Sequence, residues 1–113
     1  MSMENTILIS NVSTPTQGNV FSYSEKKQAV GYHQLENGIH TAVYEFNEAV
    51  SHIKLQATLE VFPGESDWFD IKESDYTTDE TIQIHTFTIM GNFVWVRAAY
   101  QLTSGTISSI RLI

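Results

Sequence analysis

The sequence predicts an all-β fold: a two-sheet antiparallel β-sandwich with jelly-roll-like connections and eight or nine short strands. Three observations carry this. Residues 53–61 alternate without a break, Ile53, Leu55, Ala57, Leu59 and Val61 against Lys54, Gln56, Thr58 and Glu60, which is the period of a strand with one buried face. The second half of the chain is a succession of β-favouring runs with almost no spacers. No segment repeats apolar residues at i, i+3, i+4 and i+7 over a helical length, so at most one helical turn is expected. Strand-length runs recurring at roughly ten-residue intervals imply a sandwich or barrel.

In chain order, Thr6 to Ser10 is a β-like run, and Asn11 to Asn19 is a loop rich in Ser, Thr, Gly and Pro. Val20 to Ser24 and Gln28 to Tyr32 read as short strands around Glu25-Lys26-Lys27, and Asn37-Gly38 signals a turn. His40 to Asn47 is β-favouring except at Ala42, and Glu48 to Ser51 separates it from the 53–61 strand. That pair is either a hairpin or a sheet-to-sheet crossover. Pro63-Gly64 ends the 53–61 strand, since proline cannot donate to a ladder and glycine accepts a turn conformation.

Trp68 to Lys72 is then a short strand and Glu73 to Glu80 a polar loop. Within Thr81 to Asn92, Ile82 and Ile84 share one parity and Phe87 and Ile89 the other, which predicts a β-bulge around His85-Thr86. Met90-Gly91-Asn92 turns the chain into Phe93 to Thr103, whose core face is Val94, Val96, Ala98, Tyr100 and Leu102. Ser104-Gly105 is read as a turn into a last strand, Ile107 to Ile113.

At 113 residues the whole chain, 1–113, is expected to form one domain, because a second would have no core of its own. Thirteen acids against six dispersed bases leave a net charge of −7, which argues against a nucleic-acid partner because the carboxylates would repel a polyanion. With no cysteine, disulfides, thiolate chemistry and Cys-based zinc sites are ruled out. No basic segment followed by a long apolar run marks a signal peptide, and no run of eighteen apolar residues suggests membrane insertion.

Asp67, Asp70, Glu73, Asp75, Asp79 and Glu80 form the densest carboxylate cluster, and Asp67, Asp70, Asp75 and Asp79 are its calcium candidates, since hard cations take several oxygens from closely spaced loop residues. The spacing departs from an EF-hand loop, and solvated loop acids are the preferred reading, with no cofactor expected. His33, His40, His52 and His85 sit at none of the spacings that place two metal ligands together. No Gly-x-Ser-x-Gly elbow supports a serine nucleophile. Among thirteen aromatic residues most are expected in the core, while Trp95 and Arg97 share the face opposite the Val94/Val96 stripe and are the preferred interface pair.

Residues 38–43 (Gly-Ile-His-Thr-Ala-Val), 53–59 (Ile-Lys-Leu-Gln-Ala-Thr-Leu), 65–71 (Glu-Ser-Asp-Trp-Phe-Asp-Ile), 91–98 (Gly-Asn-Phe-Val-Trp-Val-Arg-Ala) and 104–110 (Ser-Gly-Thr-Ile-Ser-Ser-Ile) together resemble small, functionally uncharacterised, virion-associated proteins of marine tailed phages, cyanophages among them. The resemblance covers about residues 28–113 and implies a structural or host-adhesion role in a tail or baseplate, hence location in the virion after synthesis in the host cytoplasm. At the level of fold, Ser66-Asp67-Trp68 and Val94-Trp95-Val96-Arg97 are similar to the strand order of discoidin-like, galactose-binding sandwiches, a likeness that transfers no binding residue.

The expectation is a non-enzymatic structural or interaction protein with protein partners or a homo-oligomeric state, its edge strands and aromatic face serving as contacts. The alternative is a carbohydrate-binding module, calcium-assisted through the acidic segment, with an exposed tryptophan stacking on sugar.

Overall fold

The computed structural model describes residues 6–16, 20–28, 39–91 and 93–113. Its strands are β1 (Thr6–Val12), β2 (Ser22–Tyr23), β3 (Lys27–Gln28), β4 (Ile39–Thr58), β5 (Phe69–Asp70), β6 (Tyr76–Thr78), β7 (Ile84–Met90) and β8 (Trp95–Leu112). Two 3-10 turns, Glu65–Asp67 and Lys72–Ser74, flank β5. The expected strand at Gln28 to Tyr32, the Asn37-Gly38 turn and His33 lie wholly or largely outside the described residues.

The fold is all-β, and every pairing among these strands is antiparallel. β4 and β8 run side by side down the middle, in register from Ala42 against Leu112 to Thr58 against Trp95. Twenty residues of straight strand would span about 66 Å. The longest dimension of the molecule is 38 Å, so β4 has to bend.

The bend lies where the β4–β8 register shifts, between Glu45 and Ser51. There Glu48 and Gly105 both hold positive φ, 52° and 79°. The corner divides one sheet into two leaves, each four strands wide. The first is β1, the C-terminal half of β8, the N-terminal half of β4, and β7. The second is β2 and β3, the N-terminal half of β8, the C-terminal half of β4, and β5 and β6. This is the strand order of a jelly roll in which two pairs of successive strands have fused into long bent ones.

One apolar cluster joins the leaves. Leu8, Ile9, Tyr44 and Ile89 come from the first, and Ile53, Leu55, Val96 and Leu102 from the second. The core face read from the sequence, Val94, Val96, Ala98 and Leu102, is buried, and Tyr100 packs against it. Polar groups tie the layers as well. The Tyr44 hydroxyl donates to the Ser74 carbonyl (2.9 Å), and the Ser74 hydroxyl accepts from the Leu55 N–H (2.8 Å), so the Lys72–Ser74 turn bridges both halves of β4.

The structure departs from the sequence reading at several points. Ser104-Gly105 is a corner inside one continuous strand, and Glu48 to Ser51 likewise, because ladder pairing resumes on both sides of each. The 53–61 strand stops at Thr58, the last residue of β4 with a β8 partner, and Leu59 and Val61 are exposed. Glu73 to Glu80 contains β6. The bulge at His85-Thr86 is absent: β7 pairs with β4 in an unbroken register, Ile82 precedes the strand, and Ile84 faces outward.

Candidate functional site

The outward face of the second leaf gathers a network of aromatic and charged side chains. Along β8 the inward residues Val96 and Ala98 alternate with Trp95 and Arg97, which are therefore carried on the other face. Arg97 is 9% exposed, yet its charge is matched on every side. Its guanidinium carbon lies 4.2 Å from the Tyr23 ring centroid and 4.3 Å from that of Trp68. A cation between two aromatic faces gains from both ring quadrupoles. Its Nε donates to the Gln56 side-chain oxygen (2.8 Å), and Glu65 stands 3.6 Å from Nη2.

From Gln56 the contacts continue across the leaf. The Gln56 amide nitrogen donates to Asp70 (2.8 Å), which also pairs with Lys54 (3.1 Å). The Gln56 hydrogen bond, with Lys54 adding a second bond and a positive charge, holds the Asp70 carboxyl below the usual carboxylate range. The Lys54 ammonium sits 4.5 Å over the Phe21 ring, which meets His52 edge-on, and His52 bonds Asp75. β2, β4, β5 and β8 are thus cross-linked by alternating rings and charges.

Beside this network the segment from Leu59 to Gly64 projects from the end of β4. Leu59 (63%), Val61 (55%) and Phe62 (93%) are all exposed. The segment is fastened at two points, Val61 and Gly64. The Trp95 indole N–H donates to the Val61 carbonyl (2.9 Å), and the Asp67 carboxylate accepts from the Gly64 N–H (2.7 Å). An open cleft of about 400 Å³ is lined by Lys26, Val61, Phe62, Pro63 and Trp95. It shares Lys26 and Pro63 with one of about 210 Å³ that reaches Trp68 and Arg97. Larger clefts lie elsewhere, at Ser13–Thr16 with Tyr100 and at Glu45 with Glu80, where Glu45 is occupied by Arg111 and Ser109.

Trp95 and Arg97 share a face, but their partners differ. The rings over Arg97 are those of Tyr23 and Trp68, while Trp95 carries Lys26 at 5.3 Å. Asp67, Asp70, Asp75 and Asp79 do not converge: Asp67 caps Gly64, Asp70 takes Gln56 and Lys54, Asp75 takes His52, and Asp79 takes the Thr81 N–H and hydroxyl. Among the described residues no three His, Asp or Glu side chains form a metal-holding group.

His85 is remote from this face. It lies flat on Tyr76 with centroids 3.7 Å apart, and its pKa is lowered by burial. Of His40 the structure describes the backbone, paired with Ile89. No helix of the described residues is long and apolar enough to cross a membrane.

Sequence reasoning missed Gln56 and Phe62, and weighed Tyr23 and Trp68 only as members of an aromatic set expected mostly in the core. The outward parity of Gln56 was a signal for one of them. Its meeting with Arg97 depends on the β4–β8 register, which pairs those two residues directly. No protein-family model and no curated protein matches this sequence.

Proposed function

We propose that this chain is a non-enzymatic structural and interaction protein, a tail- or baseplate-type component of a phage particle, made in the host cytoplasm and incorporated into the virion. The observation that carries the interaction part is the exposed apolar segment Leu59, Val61 and Phe62, pinned to Trp95 on a rigid sheet. Contiguous apolar side chains held out in water mark contact sites, and aromatic anchors dominate the energetics of such sites. The particle assignment is supported by the resemblance of residues 28–113 to virion-associated proteins of marine tailed phages.

The test is mass spectrometry of purified particles of the encoding virus, with wild-type or Phe62→Asp protein supplied. Wild-type chain is expected at stoichiometric level and the folded variant depleted. Particles devoid of the wild-type chain would overturn the assignment.

A second reading, a carbohydrate-binding module, is favoured by the cleft between Trp95, Phe62 and Lys26, which offers two aromatic faces and a cation to a sugar ring. A calcium-assisted version requires several of Asp67, Asp70, Asp75 and Asp79 to leave their present partners. Glycan-array binding abolished by Trp95→Ala and Phe62→Ala together would support this reading, and silence across diverse glycans would sink it.

A further inference from the structure

We propose that β7 is a docking edge for a second copy of this chain, the two β7 strands pairing antiparallel about a two-fold axis at Phe87, so that the first leaves of two molecules become one continuous eight-stranded sheet. The proposal goes beyond the contact segment at Leu59–Phe62, and its failure would leave that reading standing.

The orientation of the peptide groups follows from the ladder. Gln83 lies opposite Phe46 in the continuation of the β4–β7 register, and the Phe46 N–H donates to the Gln83 carbonyl (2.8 Å), which makes this a hydrogen-bonded pair. On the far side of β4, Thr41 and Ile113 exchange both their bonds, so even-numbered β4 residues face β7. Residues 85, 87 and 89 therefore direct their N–H and C=O groups to β4, and residues 84, 86, 88 and 90 direct theirs to the open side. Among the described residues, none of those four has a backbone partner on that side.

Open strand edges are ordinarily blunted by charge, proline, bulges or shortness. The other edges here are blunted. β1 carries a register shift between Ile7 and Ile9 and a positive φ at Asn11, and β2, β3, β5 and β6 are two or three residues long. β7 (Ile-His-Thr-Phe-Thr-Ile-Met) has seven regular residues with no Asp, Glu, Lys, Arg or Pro. On a molecule of net charge −7, it is a surface where two copies meet without opposing carboxylates on the paired strands.

The strand is also self-complementary. With Phe87 opposite its own copy, Thr86 falls opposite Thr88, and Ile84 falls opposite Met90. Ile84 and Met90 are 58% and 71% exposed, so each is covered by the other across the axis. This register opposes outward-directed peptides throughout, giving on the order of eight backbone hydrogen bonds.

The test is sedimentation of the full chain at high micromolar concentration, with Thr86→Pro and Thr86→Lys as variants. The Thr86 N–H points away from β4, so proline there removes no internal ladder bond. Circular dichroism is expected to show both variants folded. The wild type is expected to sediment as a dimer with slowed exchange at the Thr86 and Thr88 amides, and both variants as monomers with fast exchange at the Thr88 amide. A monomeric wild type would overturn the proposal. So would a dimer that survives both variants, including one that Phe62→Asp dissolves, which would place the contact at the Leu59–Phe62 segment instead.

Discussion

Gly105 lies directly against the backbone of Glu48: a Cβ added at Gly105 would stand 2.1 Å from the Glu48 carbonyl oxygen and 2.5 Å from its carbonyl carbon. Both residues hold positive φ. Gly105→Ala is therefore expected to force the two central strands apart at the corner and to lower stability by about 2–4 kcal/mol. Urea denaturation followed by circular dichroism measures this, and a loss below about 0.5 kcal/mol would contradict the packing. Glu48→Gly should act in the opposite sense, relieving a left-handed non-glycine residue and raising stability by up to about 1 kcal/mol.

Arg97 is held by shape as much as by charge. Lysine keeps the charge but lacks the planar group that fits between Tyr23 and Trp68 while its Nε reaches Gln56. Arg97→Lys is expected to cost about 1–2 kcal/mol and Arg97→Ala about 2–4 kcal/mol, with Trp68 moving toward water. Both effects are read from denaturation midpoints and from a red shift in tryptophan emission. An Arg97→Lys protein indistinguishable from wild type would show that the double stack carries no energy.

What was legible in the sequence was what depends on local alternation. Ile53, Leu55 and Ala57, and Val96, Ala98 and Leu102, alternate with polar or outward residues and are buried as expected. The corner was not legible, because Ser104-Gly105 looks the same whether the chain reverses there or bends while staying paired. The end of β4 was hidden for a related reason. Leu59 and Val61 continue the alternation, but the pairing stops with Thr58 opposite Trp95, and both side chains are left exposed. The stack at Arg97 joins residues 23, 56, 68 and 97, whose meeting follows from strand register rather than from any motif.

The Tyr44 phenol is fully buried, and burial, reinforced by the nearby Asp75 charge, pushes its pKa far above the ordinary tyrosine value. The folded state thus keeps a proton that the unfolded chain releases near pH 10, so stability is full below that pH and falls as pH rises beyond it. Tyr44→Phe is expected to cost about 1–2 kcal/mol at neutral pH by leaving the Ser74 carbonyl without its donor. It should also flatten the alkaline loss. Equal alkaline slopes in the two proteins would show that Tyr44 is not its source.

His85 gives the acid counterpart. Burial lowers its pKa, so the native ring stays neutral at pH values where the unfolded chain, with an ordinary histidine pKa of about 6.5, takes up a proton. The unfolded state then binds more protons, and stability rises with pH across this window. His85 contributes fully above about pH 6.5 and progressively less as pH falls from there through its lowered native pKa. Its ring lies parallel to Tyr76 within 2° and also packs near Phe87 and Tyr44, so a flat apolar ring should occupy the same place. His85→Phe is accordingly expected to fold and to lose less stability than wild type between pH 7 and pH 5. Urea titrations at closely spaced pH values make the comparison, and an unchanged acid slope in His85→Phe would reassign that loss to other groups.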